Sequence, residues 1–251
     1  QDGLVLNSVS SAQVSLQRMG QDVKLVIAPS AAGKADGGSV QLINLEPYYD
    51  HGVERIEMSD VTWTLDDIRT RVIAQATTSG NDFIVGFETS NTLNGGSGND
   101  TLDARGGDDT LTGGAGDDLL YGGNGNDTYI WNRGDGNDVI GEWAPSYWGG
   151  GQDRLVLNGV SSSQVSLRRS GQDVTLVIAP SLGKLDGGSI GLLQLDPYYD
   201  RGVETIVMSD VTWTLADVRD ELLAQASTTG NDWIDGYGGN DSLSGGAGND
   251  T

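Results

Sequence analysis

The sequence contains no cysteine, only one histidine (His51) and only two phenylalanines in 251 residues. The absence of cysteine excludes a disulfide scaffold and a zinc site built on thiolates. It also leaves the usual Ser/His/Asp and Cys/His nucleophile systems without their components. His51 aligns with Arg201 in the internal repeat described below, so we assign it neither a catalytic nor a metal-binding role. We therefore expect that this chain is not an enzyme.

Basic side chains are also scarce, because 14 Lys and Arg face 36 Asp and Glu, for a net charge of −22. Nucleic acids and anionic membrane surfaces attract positive proteins, so we expect neither as a partner. No apolar run approaches the roughly 18 residues of a membrane span, and no basic-then-apolar signal opens the sequence. We therefore expect no membrane insertion, and the charge points instead towards cations.

What the sequence has in abundance is repetition. Residues 1–6 (QDGLVL) return as residues 152–157 (QDRLVL), and residues 47–50 (PYYD) return as residues 197–200. The unit is about 150 residues long, and the sequence holds one unit and two thirds of the next. We expect the sequence to be part of a longer array of such units.

The first part of each unit alternates apolar and polar residues in the manner of half-buried strands. Thr64 and Asp67 predict the start of a helix, whose apolar face would hold Leu65, Ile68, Val72, Ile73 and Ala76. We predict β-rich modules over residues 1–76 and 143–226, each closed by a short helix. In the first copy the predicted strands are 4–6, 14–16, 23–27, 40–42, 53–58 and 61–63.

After each helix the period changes to nine residues, as in GGSGNDTLD at 95–103 and GGAGDDLLY at 113–121. Glycine dominates positions one, two and four, an acid occupies position six, and an apolar residue occupies position eight. Such glycines allow tight positive-φ turns with free carbonyl groups, and the acid adds a second kind of hard oxygen ligand. The sixth position holds Asp82, Asn91, Asp100, Asp109, Asp118, Asp127, Asp138, Asp232, Asp241 and Asp250. A flexible linker would not need an apolar residue at every ninth position.

The nonads predict columns of carboxylates. If two nonads form one coil, each loop lies over the loop two nonads earlier at a strand spacing of about 4.8 Å. Residues 77–141 hold eleven acids and two arginines, a net charge of −9, which four or five shared Ca²⁺ ions would bring close to zero. Paired carboxylates also occur in glycosidases, but these acids follow the repeat frame, which favours a structural cation. We predict a β-roll over 77–142 and the start of a second over 227–251.

These nonads resemble the repeats-in-toxin (RTX) proteins, whose G-G-x-G-x-D-x-U-x pattern is a calcium-binding signature. The resemblance implies a mainly β fold, a right-handed parallel β-roll, with calcium held between loops n and n+2. It implies the pairs Asp82–Asp100, Asp100–Asp118, Asp118–Asp138 and Asp109–Asp127. It also implies main-chain carbonyl ligands from Asn81, Gly95, Ser97, Asn99, Gly106, Asp108, Gly113, Ala115, Asp117, Asn124 and Asn126.

Some positions depart from the pattern. Asn91 replaces an aspartate, and Ala104 and Arg105 occupy two glycine positions, so we expect the Asn91–Asp109 site to be weak or empty. Two residues inserted before Arg133 interrupt the frame at the Asp118–Asp138 pair. The flanking modules and the segment 131–140 resemble the haemolysin-type calcium-binding-related domain, which implies no activity.

Three functions remain open. The first is a calcium-stabilised structural repeat of a long secreted bacterial surface protein, such as a fibre, surface layer or adhesin stalk. Its repeats would join neighbouring copies head to tail, after export unfolded by a type I system. The second is the C-terminal folding and secretion roll of a hydrolase or toxin. The third is a glycan-binding adhesin, in which sugars would stack on Tyr48, Tyr49, Trp143, Tyr147, Trp148, Tyr198 and Tyr199.

Overall fold

The computed structural model describes residues 3–19, 22–42, 53–141, 150–193, 202–227, 229–231 and 243–251. Over these residues the fold is mainly β, with parallel sheets, as expected from the sequence. Among the described residues, no helix combines the length and the apolar character that crossing a membrane would require. The predicted aromatic surface, His51, Asp232 and Asp241 lie outside the described residues.

The first module consists of two small sheets and a helix. One sheet has the order β1-β5-β6 and the other the order β2-β3-β4. The elements are β1 (Gly3–Val5), β2 (Val14–Met19), β3 (Asp22–Ile27), β4 (Gly38–Leu42), β5 (Arg55–Glu57), β6 (Thr62–Thr64) and α1 (Leu65–Ala76). The predicted N-cap is confirmed, because the Asp67 backbone N–H donates to the Thr64 Oγ1 at 3.2 Å and the Thr64 N–H donates to the Asp67 carboxylate at 2.8 Å.

The nonads form a roll with two facing parallel sheets. Alternate nonads contribute to alternate sheets, so that β8, β10 and β12 are neighbours in one sheet, and β7, β9, β11 and β13 in the other. The strands are β7 (Phe83–Val85), β8 (Thr92–Ser97), β9 (Thr101–Asp103), β10 (Thr110–Ala115), β11 (Leu119–Tyr121), β12 (Thr128–Asn132) and β13 (Asn137–Gly141).

The apolar residue of each nonad fills the space between the two sheets. The position-eight side chains are all buried, with exposures of 0–3%: Ile84, Leu93, Leu102, Leu111, Leu120, Tyr129 and Ile140. They line up because paired strands place identical positions opposite each other, as in Leu93 with Leu111 and Leu111 with Tyr129. The nine-residue repeat therefore builds a narrow apolar core along the roll. Burial of each leucine in it contributes about 1.5–3 kcal/mol to stability.

The second module continues both sheets of the roll. Its strand β14 (Asp153–Asn158) pairs in parallel with β12, and β17 (Gly188–Leu192) pairs in parallel with β13. The other elements of this module are β15 (Val165–Ser170), β16 (Asp173–Ile178), β18 (Val203–Val207), β19 (Thr212–Thr214) and α2 (Leu215–Ala226). Each sheet therefore runs without a break from the nonads into the module.

The insertion before Arg133 is absorbed where the roll meets this module. The two inserted residues, 131 and 132, form the end of β12 and pair with Leu157 and Asn158 of β14. The pairing of Leu119 with Val139 keeps β11 and β13 in register. The Arg133 side chain then donates to the carbonyls of Gly159 at 2.9 Å and Ala179 at 3.1 Å. Arg133 thus links the end of the nonads to two loops of the second module.

At its other end the roll begins against the first module. Phe87 is fully buried, and the guanidinium groups of Arg18 and Arg69 lie 4.3 Å and 5.7 Å from the centre of its ring. Arg18 also donates to the carbonyls of Val85 and Gly86. The roll therefore contacts β2 and α1 of the first module at one end, and β14 and β17 of the second module at the other.

Candidate calcium centre

Five position-six carboxylates of the roll are buried, which is unusual for charged groups. Asp100, Asp109 and Asp118 are each 2% exposed, Asp127 is 1% exposed and Asp138 is 4% exposed. A carboxylate removed from water loses its hydration, so it must be paired, coordinated to a cation or protonated. The roll places these groups inside because position six lies two residues before the inward-pointing apolar residue, on the same side of the strand.

The first column consists of Asp82, Asp100, Asp118 and Asp138, and backbone hydrogen bonds connect its members. Each N–H donates to the Oδ1 of the residue two nonads further along the chain. The distances are 2.8 Å from Asp82 to Asp100, 2.7 Å from Asp100 to Asp118 and 3.0 Å from Asp118 to Asp138. The three pairs of this column that the sequence predicts are thus adjacent, including the pair next to the insertion.

The second column is built in the same way. The Asn91 N–H donates to the Asp109 Oδ1 at 2.6 Å, and the Asp109 N–H donates to the Asp127 Oδ1 at 2.8 Å. The two columns lie on opposite edges of the roll because alternate nonads belong to opposite sheets. Both columns bring together the pairs that the nonad frame predicts.

The remaining carboxylate oxygens carry the strongest indication of a cation. The Oδ2 atoms of Asp100, Asp109, Asp118 and Asp127 are buried, and none has a hydrogen-bond partner in the described part of the chain. Leaving a charged acceptor buried and unsatisfied is costly. Within the same residues no three acidic or histidine side chains converge on one point, so a cation between two loops would need main-chain carbonyls as further ligands. This donor set of hard oxygens fits Ca²⁺.

Glycine at two positions makes room for this arrangement. A Cβ at Gly113 would overlap the Asp118 Oδ2, and a Cβ at Gly116 would overlap the carbonyl oxygen of Gly98 in the loop below. Gly116 also has a φ of 147°, which L-amino acids rarely adopt. The first glycine therefore accommodates the carboxylate within its own loop, and the fourth lets successive loops stack closely.

The electrostatic environment disfavours the charged form of these groups. Burial raises the pKa of Asp109 to about 9, and the carboxylates of Asp127, Asp108 and Glu88 contribute in the same direction. Burial also raises the pKa of Asp138 to about 8 and that of Asp127 to about 6. A bound cation would reverse this effect by favouring the ionised form.

The Asn91 side chain has hydrogen-bond partners that the interior aspartates lack within the described residues. Its Oδ1 accepts from the Phe87 N–H at 2.5 Å, and its Nδ2 donates to the Thr89 Oγ1 at 3.5 Å. The amide is thus supplied with partners and is uncharged. At the start of the other column, both Asp82 oxygens accept hydrogen bonds from Thr78, so Asp82 is also less available than the interior aspartates.

The predicted carbonyl ligands all lie in the described part of the roll, either in its loops or in the last three residues of β8 and β10, and some already take part in the backbone ladder. The Ala115 carbonyl accepts from the Gly98 N–H, and the Asn124 carbonyl accepts from the Gly107 N–H, both at 2.8 Å. A carbonyl oxygen has a second lone pair, so these groups still have capacity for a cation.

Only part of the predicted second roll is described. Asp250 is exposed, and a Cβ at Gly245 would overlap its Oδ2 just as Gly113 accommodates Asp118. The Asn249 N–H donates to the Asn231 side chain at 2.9 Å, across two nonads. The loop geometry of the first roll thus recurs here.

Sequence reasoning missed one member of the second column. The Asp127 N–H donates to the Asp153 Oδ1 at 2.7 Å, although Asp153 belongs to the second module. The signal was present, because residues 148–156 read WGGGQDRLV, in which GxDxL occupies positions four to eight of a nonad. The tryptophan at position one and the break in the frame after 141 concealed it.

Comparisons with known proteins agree with this geometry. A family model described as RTX calcium-binding nonapeptide repeat (4 copies) matches residues 76–102, 94–129 and 227–251. No curated protein matches the chain.

Two solved structures are similar to parts of the chain. The AlgE6R3 subunit of the Azotobacter vinelandii mannuronan C5-epimerase is 27% identical, with a TM-score of 0.34, over 46% of this chain and 72% of that one. The extracellular lipase LipA from Serratia marcescens is 15% identical, with a TM-score of 0.35, over 83% of this chain. This chain covers 34% of the lipase.

The matched repeats imply Ca²⁺ binding, and the buried, unsatisfied carboxylate oxygens lie within them. The chain thus contains RTX calcium-binding nonapeptide repeats, which the family model matches over residues 76–129 and 227–251.

Proposed function

We propose that the chain is a calcium-stabilised structural repeat of a long secreted bacterial surface protein, in which rolls and modules alternate head to tail. The observation that carries this proposal is the continuity of both sheets from the nonads into the second module, through β12–β14 and β13–β17. A roll and a module joined by two parallel strand pairs transmit force along the backbone hydrogen bonds. Such a junction suits an extended rod.

Calcium is the component that makes the roll stable. The columns Asp82–Asp100–Asp118–Asp138 and Asp109–Asp127 would hold the ions, together with carbonyls of the stacked loops. When bound, Ca²⁺ neutralises carboxylates that are otherwise close together and buried. The chain's own contribution is to fix each carboxylate by a backbone N–H and to exclude water with the apolar position-eight residues.

The same chemistry supports folding outside the cell. Extracellular modules commonly bind Ca²⁺ with dissociation constants of about 10⁻⁴–10⁻³ M, well above the calcium concentration of a cytosol. Without the ions, a roll with a net charge of −9 over residues 77–141 repels itself. We propose that the roll stays unfolded during export by a type I system and folds in the calcium-rich medium outside.

Head-to-tail joining is supported by the first module. Its strands β1 and β4 correspond to β14 and β17, and each is an edge strand in the sheets of the described residues. In the second module the corresponding edges of β14 and β17 pair with the roll strands β12 and β13. Edge strands with free N–H and C=O groups readily pair with another chain. We propose that the roll of a neighbouring copy pairs with β1 and β4.

Elongation in calcium tests this proposal. Small-angle scattering and electron microscopy of the protein in millimolar Ca²⁺ should show rods that lengthen with protein concentration and disappear with chelator. Compact monomers at every concentration in calcium would contradict head-to-tail joining.

A matched pair of variants identifies the edge involved. In β17, the N–H groups of Ser189 and Leu193 donate to the roll at 3.2 Å and 2.9 Å. Every second residue of a strand directs its N–H to the same edge, so the N–H of Gly191, between them, faces the roll as well. Gln41 is the counterpart of Gly191, and its N–H therefore points to the free edge of β4. Gln41→Pro removes that donor and should shorten the rods. Gln41→Ala loses only the side-chain bond to Asp22 and should leave them unchanged. Equal rod lengths for the two variants would exclude β4 as the joining edge.

A further inference from the structure

The segment Gly150–Asp153 stacks on the loop 122–127, called the Asp127 loop here. The stacking is the same as that between the loops of successive nonads in one column. The Gly125 N–H donates to the Gly150 carbonyl at 3.0 Å, and the Gln152 N–H donates to the Asn126 Oδ1 at 2.8 Å. Between true nonads the equivalent bond runs from the Asn126 N–H to the Asp108 Oδ1, also at 2.8 Å. The second module therefore opens with a loop of nonad geometry.

Close stacking confirms the equivalence of the two loops. A Cβ at Gly151 would overlap the carbonyl oxygen of Gly125, just as a Cβ at Gly125 would overlap that of Gly107. Downstream, Tyr129 pairs with Leu155, which is 1% exposed and takes the inward position of the next coil. Position four, position six and position eight of a nonad are thus all reproduced.

A buried oxygen in this place still lacks a partner. Asp127 is 1% exposed, and its Oδ2 has no hydrogen-bond partner in the described part of the chain. This oxygen lies within the curve of its loop, where a Cβ at Gly122 would overlap it. Asp153, 1% exposed, places a second buried carboxylate directly above, held by the Asp127 N–H at 2.7 Å.

The two columns end differently in the second module. In the first column, the residue opposite Asp138 is Ile190, which is fully buried and has no ligand oxygen in its side chain. In the second column, Asp153 follows Asp127, and the Asp153 N–H in turn donates to the Glu204 Oε2 at 2.5 Å. Within the described residues, acidic side chains thus extend the second column, and not the first, beyond the nonads.

We propose that a calcium ion binds between the Asp127 loop and the segment Gly150–Asp153, at the junction of the roll and the second module. Its ligands are the carboxylates of Asp127 and Asp153 with main-chain carbonyls of the two loops. The proposal rests on calcium binding by the nonads, and it adds a site that joins two structural units. Calcium would then control module docking as well as roll folding.

Counting ions tests the junction site. Calcium bound per chain is measured by equilibrium dialysis in millimolar Ca²⁺, with circular dichroism to verify folding. Asp153→Asn keeps the Oδ1 acceptor for the Asp127 N–H and should bind one ion fewer than the wild type. Asp220→Asn makes the same charge change at an exposed position on α2 and should bind the wild-type number. If Asp153→Asn also binds the wild-type number, the junction proposal is overturned.

A second pair of variants gives an independent answer within the nonads. Asp127 would serve two sites, towards Asp109 and towards Asp153, whereas Asp109 would serve one, because Asn91 lies on its other side. Asp127→Asn should therefore lose two ions and Asp109→Asn one. Equal losses would contradict the junction site, while a wild-type chain that binds no calcium at all would instead overturn the proposed function.

Discussion

The two copies of the β-rich module share their strand pairing but not their burial. In the second copy Leu155 and Leu157 are 1% and 2% exposed, whereas their counterparts Leu4 and Leu6 are only partly buried. The same holds for Ile190, which is fully buried, and its counterpart Val40, which is partly buried. The difference arises because β14 and β17 have roll strands along their outer edges.

This comparison indicates that the module does not bury its own apolar residues completely. Small sheets of three strands have two edges and little volume, and the roll supplies the missing neighbours. The module therefore acts as a unit of an array, whose stability depends on what lies beside it. Any change that weakens the roll should therefore expose the apolar residues of the second copy to the degree seen in the first copy.

The largest effect is expected from the centre of the first column. Asp118 adjoins two predicted calcium sites, so Asp118→Ala should remove about 5 kcal/mol of stability when calcium is one hundred times its dissociation constant, at about 2.7 kcal/mol per site. Asn91→Ala should cost less than about 1 kcal/mol. Urea unfolding in calcium measures both changes. Equal losses would mean that the columns do not carry the calcium.

A smaller effect compares the two modules directly. Leu155→Ala leaves a cavity at the end of the roll core and should cost about 3 kcal/mol. Leu4→Ala, at the matching position of the first module, should cost about 1 kcal/mol because part of that side chain is already in water. Thermal unfolding in calcium gives the two values. A Leu4→Ala cost as large as that of Leu155→Ala would show that the first module is equally well covered.

The smallest expected effect concerns how stability depends on pH in chelator. The roll and the first module should respond to a rise in pH with opposite signs. The raised pKa of Asp109, about 9, and of Asp138, about 8, means that the folded roll keeps protons that the unfolded chain releases. This contribution is complete below the ordinary pKa of 3.8 and is lost as pH rises through 8 to 9.

The first module should respond in the opposite direction. Hydrogen bonds from Ser11 and Thr64 lower the pKa of Asp60 and Asp67, so their contribution is present above 3.8 and is lost in acid. Urea titrations in chelator separate the two regions when they start at pH 5, where protonation instead of calcium neutralises the buried Asp109 and Asp138 and allows the roll to fold. The NMR signals of the Trp63 and Trp131 indole groups follow the first module and the roll. A roll that becomes more stable from pH 5 to pH 8 without calcium would contradict the burial of its carboxylates.

The nonad frame predicted the roll and its columns because the information is local. Glycine, acid and apolar positions recur every ninth residue, and parallel stacking then pairs residues 18 apart, as in Asp100 and Asp118. The helix start at Thr64 and Asp67 was predictable for the same reason. In each case a short pattern determines the geometry.

The docking of the second module was not predictable from such patterns. The pairing of β13 with β17 joins residues about 50 positions apart, and Ile190 stands where a nonad would have an acid. The insertion before Arg133 also looked disruptive, but its two residues pair with β14 at the end of β12, and β11 and β13 stay in register. These features depend on which sheet edge is available in the folded chain.

The central claim is that calcium holds the roll together and that the second module depends on the roll. Hydrogen exchange of the protein with millimolar Ca²⁺ and with excess chelator tests it most directly. Chelation should remove protection from the nonad strands β8–β13 and, together with them, from β14 and β17, while β2 and β3 of the first module keep theirs. Protection of β8–β13 that is unchanged by chelator would contradict the account.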